Sequence, residues 1–371
     1  MRVSLFAGVS AVALIAGAGM AHADSLNPST FSSTIGIGGS VAINKVGIIT
    51  AGTPTTAQAD VLFVTDTTGS MGPAISELSS TFSATVTALA GFGNVQTGTA
   101  QYKDKTSAGD PFDYQLDQAI TSNSAAVKTA LSGYTAGGGG DDPEQGLYAL
   151  TQASGSSTGW RTGSKKIAII SGDAPSHSSP SHSPAAGGVS VTSTAAALKA
   201  AGVTVEALNA SNITGDSGLD SFGQFDSTTG ILSKGVAGSY TASFPSSTAL
   251  TAAIEALIGT AFATYSDVSL DIIGPAPADC SVSLPADIIG SYDRSTSHTF
   301  KFGNVNVTGL AAGTCNFTVG LEADGALLAT ETDSITVTGG GTTVPEPASM
   351  TLLGTGLLGL GAFLRRRKRA G

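Results

Sequence analysis

Val61-Leu62-Phe63-Val64-Thr65-Asp66-Thr67-Thr68-Gly69-Ser70-Met71 is the stretch that decides how this chain folds. Four consecutive apolar residues suit a strand covered on both faces, as in a parallel sheet. The strand runs into a turn that sets Asp66, Thr68 and Ser70 at alternate positions, and a helical pattern follows. In that pattern Ile75, Leu78, Phe82, Val86 and Leu89 recur at spacings of three and four, as one buried stripe should. Pro73 stands where a helix start tolerates proline. In an open α/β sheet such a turn lies at the carboxyl edge, where ligands bind at the switch of strand order. A carboxylate and two hydroxyls converging there suit Mg²⁺, which takes hard oxygens and keeps several waters. Taken alone, the same turn also reads as a Gly/Ser/Thr cap on the helix.

Working outward, strand patterns at 60–65, 95–102, 166–171 and 203–208 alternate with helical patterns at 74–90, 125–131, 143–153, 192–201 and 247–265. This alternation predicts an α/β fold with a doubly wound, mostly parallel sheet. Beyond residue 266 the segments 268–272, 281–284, 298–302, 316–321 and 334–337 are short, β-rich and separated by Gly, Pro and Asp. That texture predicts a C-terminal antiparallel β-sandwich. Two early β-like runs, 34–37 and 41–49, are too short to fold alone. They are expected to add a strand or two to the sandwich, making the α/β domain an insertion within it. The expected organisation is a leader at 1–23, a β-rich segment at 24–57, an α/β domain at 58–265, a sandwich at 266–340 and a tail at 341–371. Ser/Pro-rich 176–188 reads as an exposed loop.

The chain has 371 residues and a formal charge of −10. Six of its 17 Lys and Arg lie at residues 2 and 365–369, and Glu346 is the only acid in the two ends, so the body holds 26 acids against 11 bases. Such a body is repelled by nucleic acid, which is not expected as a partner. Two cysteines exclude a four-thiolate zinc site. Cys280 and Cys315 fall on separate predicted segments, and one bridge between them is the simplest use of both.

Both ends read as addresses. Arg2, an apolar run over 3–20 and Ala21-His22-Ala23 give a charged start, a hydrophobic region and a cleavage site, in that order. At the other end Val344-Pro345-Glu346-Pro347 precedes apolar 348–364 and the basic cluster 365–369. Seventeen apolar residues are the shortest credible span. The basic cluster should stay cytoplasmic, leaving everything upstream outside the inner membrane. The three-part tail resembles the PEP-CTERM sorting signal. That resemblance implies transient membrane anchoring at the periplasmic face, tail removal by an exosortase-type enzyme, and release to the envelope or extracellular matrix.

Further acids point toward the Asp66 turn. A second apolar strand at 167–171 ends at Gly172-Asp173-Ala174, and Gly137–Gly140 runs into Asp141-Asp142-Pro143-Glu144. If the two apolar strands are neighbours, Asp66 and Asp173 face one cavity. Carboxylates meeting without a base repel one another unless a cation neutralises them.

These fragments resemble the von Willebrand factor A domain, in particular the I-like domain of integrin β subunits. Asp66, Thr68 and Ser70 match its D-x-S/T-x-S metal-ion-dependent adhesion site. Asp142-Pro143-Glu144 is similar to its Ser-Pro-Glu loop and implies Glu144 as a ligand, and Asp173 matches the last aspartate. The resemblance thus implies Mg²⁺ or Mn²⁺ on Asp66, Thr68, Ser70, Glu144 and Asp173. It also implies a neighbouring Ca²⁺ site from Asp104, Asp141 and the Pro143 carbonyl, sharing Glu144. A third, regulatory cation is not expected, because Pro73 and Ala74 stand where the family places paired acids.

Other echoes carry less. Gly215-Asp216-Ser217-Gly218 has the look of a serine-protease loop, but turn composition explains it. His177 and His182 lie in the Ser/Pro loop and read as solvated, while Trp160 and Tyr148 read as core. No convincing catalytic base stands near the proposed metal. The resemblance therefore implies a non-enzymatic, exported adhesion or matrix protein. Its partner would be a protein or acidic polysaccharide whose carboxylate completes the cation's shell, coupled to movement of the helix at 247–265. An envelope metalloenzyme and a structural matrix protein with a stabilising cation are the alternatives.

Overall fold

The computed structural model describes residues 23–104, 109–140 and 142–339. The leader, save its last residue, and the apolar basic tail lie outside them, as does Asp141. Among the described residues no helix is long and apolar enough to cross a membrane.

The α/β domain is built on a six-stranded sheet in the order β6-β5-β4-β7-β8-β9. Its strands are β4 (Ala57–Asp66), β5 (Gly93–Tyr102), β6 (Tyr114–Thr121), β7 (Lys165–Gly172), β8 (Val203–Asn209) and β9 (Gly238–Thr241). All neighbours are parallel except β5 and β6. Strand order therefore reverses at β4 and β7, which lie side by side in the centre.

The α-helices among the described residues of this domain are α1 (Gly72–Leu89), α2 (Ser124–Ser132), α3 (Gly146–Ala153), α4 (Val191–Ala201), the single turn α5 (Ser211–Thr214) and α6 (Ser247–Ala261), which leads out of the sheet. Alternate residues of β4 divide between two cores. Val61 and Phe63 pack with Ile75, Leu78 and Phe82 of α1, while Leu62 and Val64 pack with Leu147 and Leu150 of α3. That two-sided burial is the cause of the continuous apolar run. Phe63 and Phe82 meet edge to face at 5.5 Å.

Three boundaries differ from the sequence reading. α3 begins at Gly146 instead of 143, because the Glu144 backbone is bonded to the segment beside it. α6 stops at Ala261, since β10 (Thr264–Ile273) claims the next residues for a sheet. The 176–188 segment is not wholly exposed: Ser176, His177 and Ser178 are buried.

The second region packs two sheets face to face. One is ordered β1-β3-β13-β11 and the other β12-β10-β14-β15-β2. From the N-terminal segment come β1 (Ser25–Asn27), β2 (Thr30–Gly36) and β3 (Ser40–Ile49). From the C-terminal part come β10, β11 (Cys280–Ser283), β12 (Ile288–Asp293), β13 (His298–Gly309), β14 (Gly313–Ala323) and β15 (Ala326–Thr338). The α/β domain is thus inserted between β3 and β10. Three early strands join these sheets where one or two were expected, and β2 lies parallel to β15 in an otherwise antiparallel pairing.

Cys280 on β11 and Cys315 on β14 form a disulfide that ties the two sheets together. Closing a loop of that length stabilises by about 4 kcal/mol in the chain-entropy model. The sandwich core also runs continuously into the α1/α6 side of the α/β domain.

At the junction Arg294 donates to Asp24 through both ends of its guanidinium, at 2.7 and 3.2 Å, and to the Thr50 carbonyl at 3.2 Å. Asp24 Oδ1 also accepts from the Thr50 amide at 2.8 Å. The Arg294 backbone amide donates to the Ala263 carbonyl and its carbonyl accepts from Gly52. One arginine therefore fastens both connections of the insertion.

A buried acid in the central sheet gives the fold a pH dependence. Glu206 on β8 is buried; Ser239 donates to one of its oxygens and the other has no hydrogen-bond partner. Burial raises its pKa from 4.5 to about 7, against the pull of the Ser239 hydrogen bond. The folded state therefore holds this proton more tightly than the unfolded chain. Its contribution is full below pH 4.5 and is lost as pH rises through about 7. Glu206→Gln is expected to remove roughly 3 kcal/mol of the stability lost between those limits. Urea unfolding of both proteins at pH 4.5 and pH 7.5 measures it; parallel losses in the two would refute the assignment.

Candidate metal centre

β4 and β7 pair in register from Ala59 opposite Lys165 to Thr65 opposite Ser171, so their carboxyl ends emerge together. Asp66 closes β4 and Asp173 follows β7, which brings both to the switch of strand order. Asp66 is fully buried. Its Oδ1 accepts from the Thr68 amide at 2.9 Å and the Thr68 hydroxyl at 2.7 Å, folding the turn back on itself. Its Oδ2 has no hydrogen-bond partner.

Asp173 is also buried, and neither of its oxygens has a hydrogen-bonding partner of good geometry. The Ser70 and Thr214 hydroxyls nonetheless lie near enough to favour its ionised form. Ser70 itself is half-buried in the 3-10 turn just before α1.

Glu144 reaches the same place by a different route. Its amide donates to the Pro175 carbonyl at 2.8 Å and its carbonyl accepts from the His177 amide at 2.7 Å. This bridge fixes the backbone beside the β7 exit. Gly139, at φ +63°, shows where the side chain goes: a Cβ there would lie 2.6 Å from Glu144 Oε1 and 2.8 Å from Thr68 Cβ. Glu144 and Thr68 therefore flank one glycine, which cannot be replaced without displacing both. Glu144 Oε2 is a further buried oxygen without a hydrogen-bond partner. Gly172 has the same role below the site, since a Cβ there would collide with Tyr102 Oη and approach Asp66 Oδ2 to 3.4 Å.

The electrostatics follow from this crowding. Burial raises the pKa of Asp66, and the Asp173 charge raises it further. Burial raises Glu144 as well, followed by Asp66, Asp104, Asp110 and Asp142. Asp173 is raised chiefly by burial. The Tyr102 hydroxyl is pushed well up by burial and by Asp66, Asp173 and Glu144, so it stays protonated and donates to the Ser171 carbonyl at 3.4 Å. Lys103 feels Asp110, Asp66 and Glu144, and its ammonium is engaged by the Thr67 and Gly137 carbonyls. Among the described residues, that one ammonium is outnumbered by the buried carboxylates of Asp66, Glu144 and Asp173.

Orphaned oxygens on Asp66, Glu144 and Asp173 are what a divalent cation would satisfy. Among the described residues no three His, Cys, Asp or Glu side chains are grouped to hold an ion by themselves. A cation here would rely on the hydroxyls of Thr68 and Ser70 and on water, the donor set that suits Mg²⁺ or Mn²⁺.

Of the second expected set, Asp104 is buried, 3.0 Å from His177 Nε2, and its Oδ1 accepts from Gln145 Nε2 at 3.3 Å. Pro143 is half-buried beside Glu144, and Asp141 lies outside the described residues. His177 is thus not the solvated loop residue expected from sequence, but a buried partner of Asp104. His182 stacks on Phe222 with ring centres 3.9 Å apart. Trp160, half-buried, donates its indole N–H to the Ala153 carbonyl at 2.9 Å. Sequence reasoning missed Asp110, whose Oδ2 accepts from the Gly139 amide at 2.8 Å and so shapes the glycine loop against the site. No local motif marks Asp110; only the folded loop brings it there.

The model of the von Willebrand factor type A domain matches residues 60–230, and that of the PEP-CTERM protein-sorting motif matches residues 343–368. Among solved structures, a von Willebrand factor type A protein from Catenulispora acidiphila is 14% identical, with 86% of this chain and 74% of that one covered and a TM-score of 0.38. The pilus adhesin SpaC from Lactobacillus rhamnosus GG, in an open conformation, is 13% identical, with 80% and 46% covered and a TM-score of 0.39. This chain spans less than half of that adhesin. No curated protein matches the sequence.

Proposed function

Because the chain carries a von Willebrand factor type A domain over residues 60–230 and a PEP-CTERM sorting motif over 343–368, which marks it as exported and envelope-targeted, we propose that it is an adhesion or matrix-binding protein that grips its partner through a divalent cation. Its role is binding, not catalysis. The observation that carries this reading is the set of buried oxygens without hydrogen-bond partners on Asp66, Glu144 and Asp173 at the switch of strand order.

Asp66, Thr68, Ser70, Glu144 and Asp173 would hold Mg²⁺ or Mn²⁺. Such an ion, when bound, supplies an electrophilic position that accepts an anionic oxygen from outside. The chain's own residues prepare that position. Thr68 holds the Asp66 carboxylate in place, the Glu144 bridge fixes its side chain against the turn, and Lys103 pins the Thr67 and Gly137 backbones around it. An acidic partner is otherwise repelled by the excess of carboxylates, so the cation also decides the sign of the interaction. The partner is a protein or acidic polysaccharide presenting a carboxylate, met in the envelope or matrix after exosortase-type processing. A calcium ion at Asp104, Asp141, the Pro143 carbonyl and Glu144 would brace the same loop.

Capture from the producer's own extracellular matrix tests this. The immobilised protein is expected to retain partner in Mg²⁺ and to lose at least about tenfold of it in EDTA, a change of about 1.4 kcal/mol. Readdition of Mg²⁺ should restore capture. Equal capture with and without EDTA would refute the metal-dependent grip.

A further inference from the structure

The sandwich core contains three charged side chains that its packing does not require. β3 alternates inward through Ile43, Lys45, Gly47 and Ile49, so Lys45 occupies a core position in one sheet. β15 of the facing sheet sends Glu331, Asp333, Ile335 and Val337 inward. Residues two apart on a strand share a face, so both acids point at Lys45. All three side chains are completely buried.

Lys45 Nζ lies 2.5 Å from Glu331 Oε1, 2.8 Å from Asp333 Oδ2 and 3.0 Å from Asp333 Oδ1. Standing nearly equidistant from both oxygens of Asp333, the nitrogen is set against the carboxyl carbon between them. Neither Glu331 oxygen nor Asp333 Oδ2 meets hydrogen-bond geometry, despite the short separations. The cluster is thus a poorly satisfied ion triad in a buried core, an arrangement that costs stability as long as it stays ionic. Burial and the neighbouring Asp333 also raise the pKa of Glu331, against the pull of Lys45, which suits it to take up and return a proton.

We propose that Lys45 and Asp333 condense into an intramolecular amide across the two sheets, with Glu331 as the proton relay. Glu331 takes a proton from the Lys45 ammonium, and the freed amine attacks Asp333 Cγ. The Nζ–Cγ bond forms and one Cγ–O bond breaks. The departing oxygen leaves as water, carrying the two protons that nitrogen has lost, one of them returned by Glu331. No oxidant or cofactor enters, and Glu331 ends as it began. Fixed contact of amine and carboxyl supplies the driving proximity, for which effective concentrations of about 10⁵–10⁸ M are attainable. Replacing two buried charges by one neutral amide removes their desolvation cost.

The bond would join residue 45 to residue 333 and so enclose the entire inserted domain. Together with the Cys280–Cys315 bridge it would make the sandwich a doubly clamped base, able to carry pull between a bound partner and the C-terminal end.

Peptide mapping by mass spectrometry decides it, on the full chain purified folded and then reduced. The peptides carrying Lys45 and Asp333 are expected to appear joined and lighter by one water. Asp333→Ala and Lys45→Arg should give separate peptides. Glu331→Gln, with its fold checked by circular dichroism, should join at least about 100-fold more slowly, as loss of a general acid–base does. Separate, unmodified peptides from folded wild-type protein after prolonged incubation would overturn the proposal. Unchanged joining in Glu331→Gln would overturn the relay.

Discussion

Arg294→Met is expected to destabilise the protein by about 3–5 kcal/mol, the cost of leaving a buried charge without its partner. Asp24 is 5% exposed and Arg294 7%, so water does not reach in to replace the lost guanidinium. The arginine also holds the Thr50 carbonyl, and its backbone joins Gly52 to Ala263 where the chain enters and leaves the α/β domain. Met fills a similar volume without donating, so the loss is electrostatic and not a cavity. Replacing both partners, as Asp24→Asn with Arg294→Met, should recover much of the loss, because no uncompensated charge remains. Urea unfolding of the three variants measures this. A single variant within about 1 kcal/mol of wild type would place the pair among weak surface ion pairs.

The second large effect is at the candidate metal centre. Asp66→Asn keeps an oxygen for the Thr68 amide and hydroxyl but removes the charge a cation needs. Affinity for Mn²⁺ is expected to fall by more than about 100-fold, since even groups that only orient metal ligands cost 10–100-fold when lost. In EDTA the sign reverses. The Asp66 carboxylate is buried and repelled by Asp173 there, so Asp66→Asn should unfold at or above the wild-type temperature. Weak metal binding with undiminished apo stability separates loss of a ligand from loss of the fold. A variant that melts far below wild type in EDTA would mean that Asp66 is structural.

How far the sequence could be read follows from how local each feature is. β4 and α1 were legible because an unbroken apolar run and a 3–4 spacing are imposed by burial at each position. β6 and β9 were not: every residue of Tyr114–Thr121 but one is half-buried, giving no alternation, and Gly238–Thr241 is four residues long. The parallel pairing of β2 with β15 joins segments some 300 residues apart, and no local pattern encodes it. In the site, Asp66, Thr68 and Ser70 lie in one turn and Asp173 at a strand end, so spacing sufficed to single them out. Glu144 needed the resemblance of its loop. Asp110 and the pairing of His177 with Asp104 arise from loop packing; the Ser/Pro composition around His177 pointed to solvent, and Asp104 was singled out only by the resemblance. Lys45 stood in plain view on the inward stripe of β3, where alternation calls for an apolar residue; its meaning came only from Glu331 and Asp333 facing it.

Calorimetric titration of Mn²⁺ into the metal-free folded protein, with Asp173→Asn as the paired control, tests the central claim most directly. Saturable uptake at the Asp66 turn, displaced by excess Mg²⁺ and missing in Asp173→Asn, is the predicted result. No uptake by the wild-type protein, or uptake unchanged in Asp173→Asn, would contradict it.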